Sequence, residues 1–190
     1  MISKLAKNIA HFFVIQKITE ESKEIIYVYG LELLISDVLN TIIVLLIALF
    51  SHTLPAVIVF VTVFMGLRRF VGGYHANSHL SCMFTLVIVM LVFSYGICNI
   101  SEYTHIYSIA FVALALPIIF CFAPVPHPNK PMSKEKGINL RRKSSILAVT
   151  LTTAVVVLLV FQYHKLSLYV SSGILLSAIA ALLGRFLNRG

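Results

Sequence analysis

The chain has 190 residues, of which 59% are hydrophobic and 12% are charged, and its mean hydropathy is +0.95. Soluble domains carry about 25% charged residues, so this composition excludes an ordinary soluble domain and predicts a protein that lies in a bilayer. The formal net charge of +8 does not indicate nucleic-acid binding, because the basic residues lie between apolar runs. Cys82, Cys98 and Cys121 form no spacing motif, so a disulfide framework is not expected.

The N-terminal residues 1–26 have the pattern of an amphipathic helix, in which apolar residues are interspersed with lysines and glutamates. They lack the short apolar core and the cleavage site of a signal peptide. We expect this helix to lie on the cytoplasmic surface of the membrane with its apolar side among the lipid headgroups. A cap helix packed on the other helices would show the same pattern, so that alternative stays open.

Six apolar runs follow, and a transmembrane helix needs about 20 such residues. The runs cover approximately residues 27–50, 54–67, 80–100, 106–122, 145–161 and 166–183. The second can continue as helix towards Gly72-Gly73, a pair that we expect to break or bend it. The first carries Glu32 and Asp37. Asp37 is the deeper of the two, so we expect it to have a partner inside the bundle.

The distribution of positive charge predicts the orientation of these helices. If the N-terminus is cytoplasmic, 14 of the 15 Lys and Arg residues fall on the cytoplasmic side, and only Lys165 falls outside. This agrees with the positive-inside rule. The prediction is an all-α protein of the cytoplasmic membrane with six transmembrane helices in residues 27–190 and both termini in the cytoplasm. The polar stretch 68–82 and the basic loop 124–144 then face the cytoplasm.

The polar stretch 68–82 contains the residue types of a thiol nucleophile and its base. A cysteine attacks as its thiolate, and a nearby histidine can take the proton. His75 and Cys82 are seven residues apart, which on a straight helix is a rise of about 10.5 Å. A hydrogen bond of about 3 Å therefore requires the chain to fold back. Gly72-Gly73 and Asn77-Ser78 are residue types suited to such a reversal.

Several alternatives remain open around Cys82. Either Ser78 or Ser81 can cap the third apolar helix, whose dipole would then favour the Cys82 thiolate. His79 is a rival base, because it is three residues from Cys82 and can share a helical face with it. The set His75, His79 and Cys82 could bind zinc, but neither Glu-x-x-His nor Cys-x-x-Cys accompanies it. Thiol chemistry without a metal or cofactor is the favoured interpretation.

Two motifs resemble those of a known family. Arg-Arg-Phe-x-Gly-Gly-x-His-x6-Cys, here within residues 68–82, resembles the accessory gene regulator B (AgrB) family of membrane-embedded cysteine endopeptidases in quorum sensing. Ala-Pro-Val-x3-Asn-Lys-Pro, here Ala123 to Pro131, resembles the central cytoplasmic loop of that family. The chain length and the six-helix plan match as well, so the resemblance covers nearly the whole chain.

The resemblance implies a substrate and a reaction. Such proteins process an AgrD-type propeptide, which has an amphipathic helix, a peptide core and an acidic C-terminal tail. By position, His75 is the general base and Cys82 the nucleophile that cleaves before the tail, and ring closure then gives a thiolactone or lactone. The resemblance also implies a homodimer. The acidic tail would be held by the basic residues Arg68, Arg69, Lys130, Lys134 and Lys136.

A third member of the catalytic site is not evident from the sequence. Asp37 and Asn77 are candidates to orient His75, and a dyad without a third member is a further alternative. Two other functions compete with the peptidase. One is a small transporter or channel in which Glu32 and Asp37 line a polar path, although no internal repeat or broken-helix pair supports it. The other is a non-enzymatic membrane docking protein.

Overall fold

The computed structural model describes residues 2–16, 18–72, 79–125 and 134–187. These ranges contain seven α-helices: α1 (Ile2–Ile15), α2 (Glu24–Phe50), α3 (Leu54–Val71), α4 (His79–Leu91), α5 (Thr104–Phe122), α6 (Lys134–Val160) and α7 (His164–Leu187). Helix α4 continues directly into a π-helical turn, Val92–Gly96, and a 3-10 turn, Ile97–Asn99. A second 3-10 turn, Glu21–Lys23, precedes α2.

Five helices in the described part of the chain are long and apolar enough to cross a bilayer, namely α2, α3, α5, α6 and α7. The helical stretch Met83–Asn99 is also apolar but shorter. The predicted class, a largely helical protein with apolar membrane helices, is therefore confirmed. Six transmembrane helices, cytoplasmic termini and an interfacial N-terminal helix stay predictions.

The N-terminal helix is shorter than the sequence pattern predicted. A single helix over residues 1–26 is wrong, because α1 ends at Ile15 and the chain turns before α2 begins at Glu24. Helix α1 packs against α2, with His11 Nδ1 3.5 Å from Glu24 Oε1. The rings of Phe13 and Tyr27 also meet edge to face at 6.2 Å. Packing on a neighbouring helix is what the cap-helix alternative requires.

Helix α6 begins earlier than predicted. The sequence pattern placed residues 124–144 in a loop and began the fifth apolar run at residue 145, whereas α6 starts at Lys134. The basic run 141–143 consequently lies on a helix. The physical reason is that Lys, Glu and Arg are good helix formers, although their charge ends an apolar run. The predicted loop shrinks accordingly, and residues 126–133 lie outside the described ranges.

The main core lies between α3, α5, α6 and α7. Small buried residues on α7, such as Gly173, let its neighbours approach closely. A Cβ on Gly173 would lie 3.0 Å from the Phe60 carbonyl oxygen and 2.9 Å from a methyl carbon of Val63. Ser108 of α5 and Ser167 of α7 are hydrogen bonded, with 3.0 Å between their Oγ atoms. Helix α7 is therefore the element around which α3, α5 and α6 pack.

A second cluster joins α2, α3 and the end of the helical run that begins with α4. The rings of Phe60 and Phe93 stack with centroids 4.0 Å apart. Thr53 Oγ1 donates to Ser94 Oγ at 3.1 Å. These contacts place the C-terminal end of this run beside the N-terminal half of α3, so the two run antiparallel. The end of α3 and the beginning of α4 consequently lie at the same end of the bundle.

Candidate active site

Helix α3 ends at Gly72, within the predicted catalytic stretch. The Gly72 N–H donates to the Arg68 carbonyl at 2.9 Å, and Gly72 then adopts φ 74° and ψ −153°. Residues other than glycine are strongly disfavoured in this backbone region. The predicted break at the glycine pair is thus confirmed at Gly72. Gly73 lies outside the described residues.

A parallel β-bridge connects Gly72 to Val125. The Val125 N–H donates to the Val71 carbonyl at 2.9 Å, and both valines are buried, at 6% and 0% exposure. A Cβ on Gly72 would lie 2.5 Å from the Val125 carbonyl oxygen. The bridge therefore brings together the two motifs that the sequence singled out, at the point where each leaves the core.

Helix α4 begins at His79, which makes Cys82 the fourth helical residue. The prediction that Cys82 lies in the first turn of the third apolar helix is confirmed for its backbone. A helix N-terminus carries partial positive charge, which favours a thiolate there. The alternative cap Ser81 is wrong, because Ser81 lies inside α4. Ser78 lies outside the described residues, as do the side chains of His79 and Cys82.

Other predicted site residues lie in the undescribed parts of the chain. These are His75, Asn77 and Lys130 in full, and Lys134 and Asp37 in their side chains. The pairing of His75 with Cys82 and the choice of an orienting residue therefore stay predictions.

Basic residues belong to the end of α3 and the beginning of α6. The Arg68 guanidinium carbon lies 5.4 Å from the Phe64 ring centroid, a cation–π distance, and Arg69 is exposed in the same last turn of α3. On α6, Lys136 is exposed near the beginning of the helix. Arg141 Nη2 donates to the carbonyl oxygen of Phe120 on α5 at 3.1 Å. Both α3 and α6 thus carry basic residues at this end.

Sequence reasoning did not single out Val125 or Arg141. Val125 was visible only as one letter of the second motif, and a backbone contact between distant residues leaves no signal in a single sequence. Arg141 belongs to a basic run that was visible, but its hydrogen bond to α5 depends on the unexpected helical start of α6.

No three His, Cys, Asp or Glu side chains of the described residues lie close enough to share a metal ion. The zinc alternative His75, His79 and Cys82 depends on side chains outside that set.

Comparison with known proteins identifies the family. The family model described as Accessory gene regulator B matches residues 1–181. The chain belongs to the accessory gene regulator B family. The family that the two motifs suggested is thereby confirmed, and with it a place in accessory gene regulation.

Relatives in this family cover most of the chain. An AgrB-like protein of Clostridium perfringens strain SM101 is 28% identical over 166 residues, which is 84% of this chain and 77% of the relative. Accessory gene regulator protein B of Staphylococcus epidermidis is 25% identical over 154 residues, covering 80% and 76% of the two chains. An AgrB-like protein of Clostridium beijerinckii is 25% identical over 141 residues, covering 74% and 71%. No solved structure matches significantly.

Proposed function

We propose that this protein is a membrane cysteine endopeptidase that removes the acidic C-terminal tail of an AgrD-type propeptide and promotes closure of a thiolactone or lactone ring. One observation carries the proposal. This chain belongs to the accessory gene regulator B family, and its Cys82 lies in the first turn of α4. It closely follows a glycine that ends α3 and a histidine-bearing stretch. A thiol at a helix N-terminus near a base has the setting of a nucleophile.

The reaction proceeds in two acyl transfers. His75 takes the proton of the Cys82 thiol, and the sulfur attacks the carbonyl carbon before the tail. The carbon–nitrogen bond breaks, and the tail leaves with its new amine protonated by the His75 imidazolium, so that a thioester joins Cys82 to the peptide. A thiol or hydroxyl of the peptide then gives its proton to His75, which is neutral again, and attacks the thioester carbonyl. The ring closes, and Cys82 leaves as thiolate.

Ring closure needs a driving force, and the acyl-enzyme must be protected from hydrolysis. Exchange of one thioester for another is nearly isoenergetic, so departure of the tail draws the sequence forward. Water would convert the acyl-enzyme into a linear peptide, and a site beneath apolar helices limits that hydrolysis. The five apolar helices of membrane length support such a location.

Basic residues bind the acidic tail of the propeptide. Arg68 and Arg69 end α3, and Lys134 and Lys136 lie in the first turn of α6. Arginine pairs with carboxylates through two parallel hydrogen bonds, whereas lysine acts as a point charge. Lys130 belongs to the same proposed set. The peptide, the lipid of the cytoplasmic membrane and a second copy of the chain complete the proposed partners.

Replacement of the nucleophile tests the proposal. Cys82→Ser, co-expressed with an AgrD-type propeptide that carries a tag on its tail, is expected to release no tail, because an alcohol is a far weaker nucleophile than a thiolate at neutral pH. Immunoblotting follows the tag, and mass spectrometry follows the ring.

Cys121→Ser is the matched control, since Cys121 is an exposed thiol on α5. It should process the propeptide like the parent. Normal processing by Cys82→Ser at equal expression contradicts the peptidase and would favour a docking or transport role.

A further inference from the structure

The two motifs of the chain are joined through backbone atoms, and this junction carries an inference that rests on the proposed function. We propose that Gly72 and Val125 are positioning residues of the peptidase. Their bridge fixes the point at which the chain leaves the core on its way to His75 and Cys82. Neither residue offers a functional side chain, so their part in the reaction is to hold the backbone.

The location of the bridge makes it resistant to opening. Val71 and Val125 are both members of the main core, at 0% and 6% exposure, and Ala123 beside them is 4% exposed. The hydrogen bond from the Val125 N–H to the Val71 carbonyl is therefore shielded from water. Opening it would leave two buried polar groups without partners, which is unfavourable.

The approach of the two chains depends on glycine for two separate reasons. Gly72 has φ 74°, which other residues rarely adopt. A Cβ at this position would also lie 2.5 Å from the backbone oxygen of Val125. The obstructing atom belongs to the backbone, so a rotamer change cannot make room. Any side chain at position 72 consequently forces the two chains apart.

Separation of the chains should affect the chemical step more than substrate capture. A misplacement of about 1 Å can cost about 100-fold in rate. Capture of the acidic tail depends on charged side chains such as Arg69 and Lys136, which lie on α3 and α6 themselves. Loss of the bridge leaves both helices in place. A positioning role therefore predicts a lower kcat with a nearly unchanged KM.

Gly72→Ala tests this in the full chain, reconstituted in lipid nanodiscs with a synthetic AgrD-type propeptide. We expect kcat for tail release to fall about 100-fold while KM changes little. Gly66→Ala is the matched control, because Gly66 lies on the same helix and a Cβ there would meet nothing within 4 Å. It should keep both constants. A parent-like kcat for Gly72→Ala overturns the proposal, and so does an increase in KM alone.

Val125→Pro changes the other residue of the same bridge and removes its hydrogen bond, since proline has no N–H to donate to the Val71 carbonyl. It should also lower kcat. The double variant with Gly72→Ala should lose no more than the worse single variant, because both changes remove one contact. Fully multiplicative losses would show two independent defects and contradict a shared positioning role.

If neither variant folds, hydrogen exchange on the parent protein still decides. The Val125 amide should be protected like the core amides of α3. Exchange at the rate of an open chain would overturn the bridge. Failure of the proposed function would give a different result from failure of the positioning role, because Cys82→Ser would then still process the propeptide. If Cys82→Ser is inactive and Gly72→Ala is fully active, the positioning role alone is wrong.

Discussion

At the scale of the residue, two positions define the proposed site through their backbones. Gly72 ends α3 in a conformation that excludes side chains, and Cys82 occupies the first turn of α4. A helix N-terminus stabilises nearby negative charge by about 0.3–1 kcal/mol at exposed positions. This favours the thiolate modestly, so most of the activation of Cys82 must come from a base.

The identity of that base is testable. His75→Ala should lower tail cleavage by about 10²–10⁴-fold, the usual contribution of a general base, whereas His79→Ala should have a much smaller effect. Tail release from the tagged propeptide measures both. His79 is the matched comparison, since it is the other histidine of the same stretch and the first residue of α4. A severe loss with His79→Ala and a mild one with His75→Ala would reassign the base.

At the scale of the element, the helical run from α4 to the turn Ile97–Asn99 is held mainly at its far end. Phe93 is 1% exposed, stacks on Phe60 and meets the Tyr169 ring edge to face. It lies in a π-helical turn, a local widening that redirects side chains. Because α4 continues directly into this turn, the anchor also helps to fix the position of α4, whose first turn contains Cys82.

Removal of the anchor should be costly. Phe93→Ala is expected to destabilise the fold by about 3–5 kcal/mol, as for other large-to-small changes in packed interiors. Thermal unfolding in detergent, followed by size-exclusion chromatography, measures the loss. Phe84→Ala is the control, because Phe84 lies on the same run and is 63% exposed. Equal shifts for both variants would contradict the anchoring role of Phe93.

At the scale of the whole molecule, positive charge is concentrated at one end of the bundle in the described part of the chain. Arg68, Arg69 and the run 141–143 belong to the end where α3 finishes and α6 begins. Helices α5 and α7 start at the opposite end, where the His105 and His164 rings lie 5.7 Å apart and Lys165 is located. This separation supports the predicted orientation with the basic end in the cytoplasm.

Cysteine labelling in intact cells checks the orientation. Tyr163→Cys and Ile138→Cys change exposed positions at opposite ends, 62% and 72% exposed, and leave every charge in place. A maleimide that cannot cross the membrane should label Tyr163→Cys from outside and Ile138→Cys only after the cells are permeabilised. A variant with Cys82, Cys98 and Cys121 all replaced by serine serves as the background for both. The reverse pattern would invert the predicted topology.

The helices were largely predictable, whereas their contacts were not. Apolar length alone predicted runs at 54–67 and 106–122, close to the observed α3 (Leu54–Val71) and α5 (Thr104–Phe122). The start of α6 was missed, since charged residues that favour helix look like a loop in a hydropathy pattern. The Gly72–Val125 bridge pairs residues far apart in the chain. Only the three-dimensional path of the backbone reveals it.

The bridge also limits how far His75 can lie from the core. His75 follows Gly72 by three residues, and a chain extends by at most about 3.6 Å per residue. The Cα of His75 therefore stays within about 11 Å of the Gly72 Cα in every conformation available to it. The number of residues between Gly72 and His75 therefore limits the positions that the imidazole can occupy. One inserted residue would enlarge the volume open to the imidazole without altering any side chain of the site.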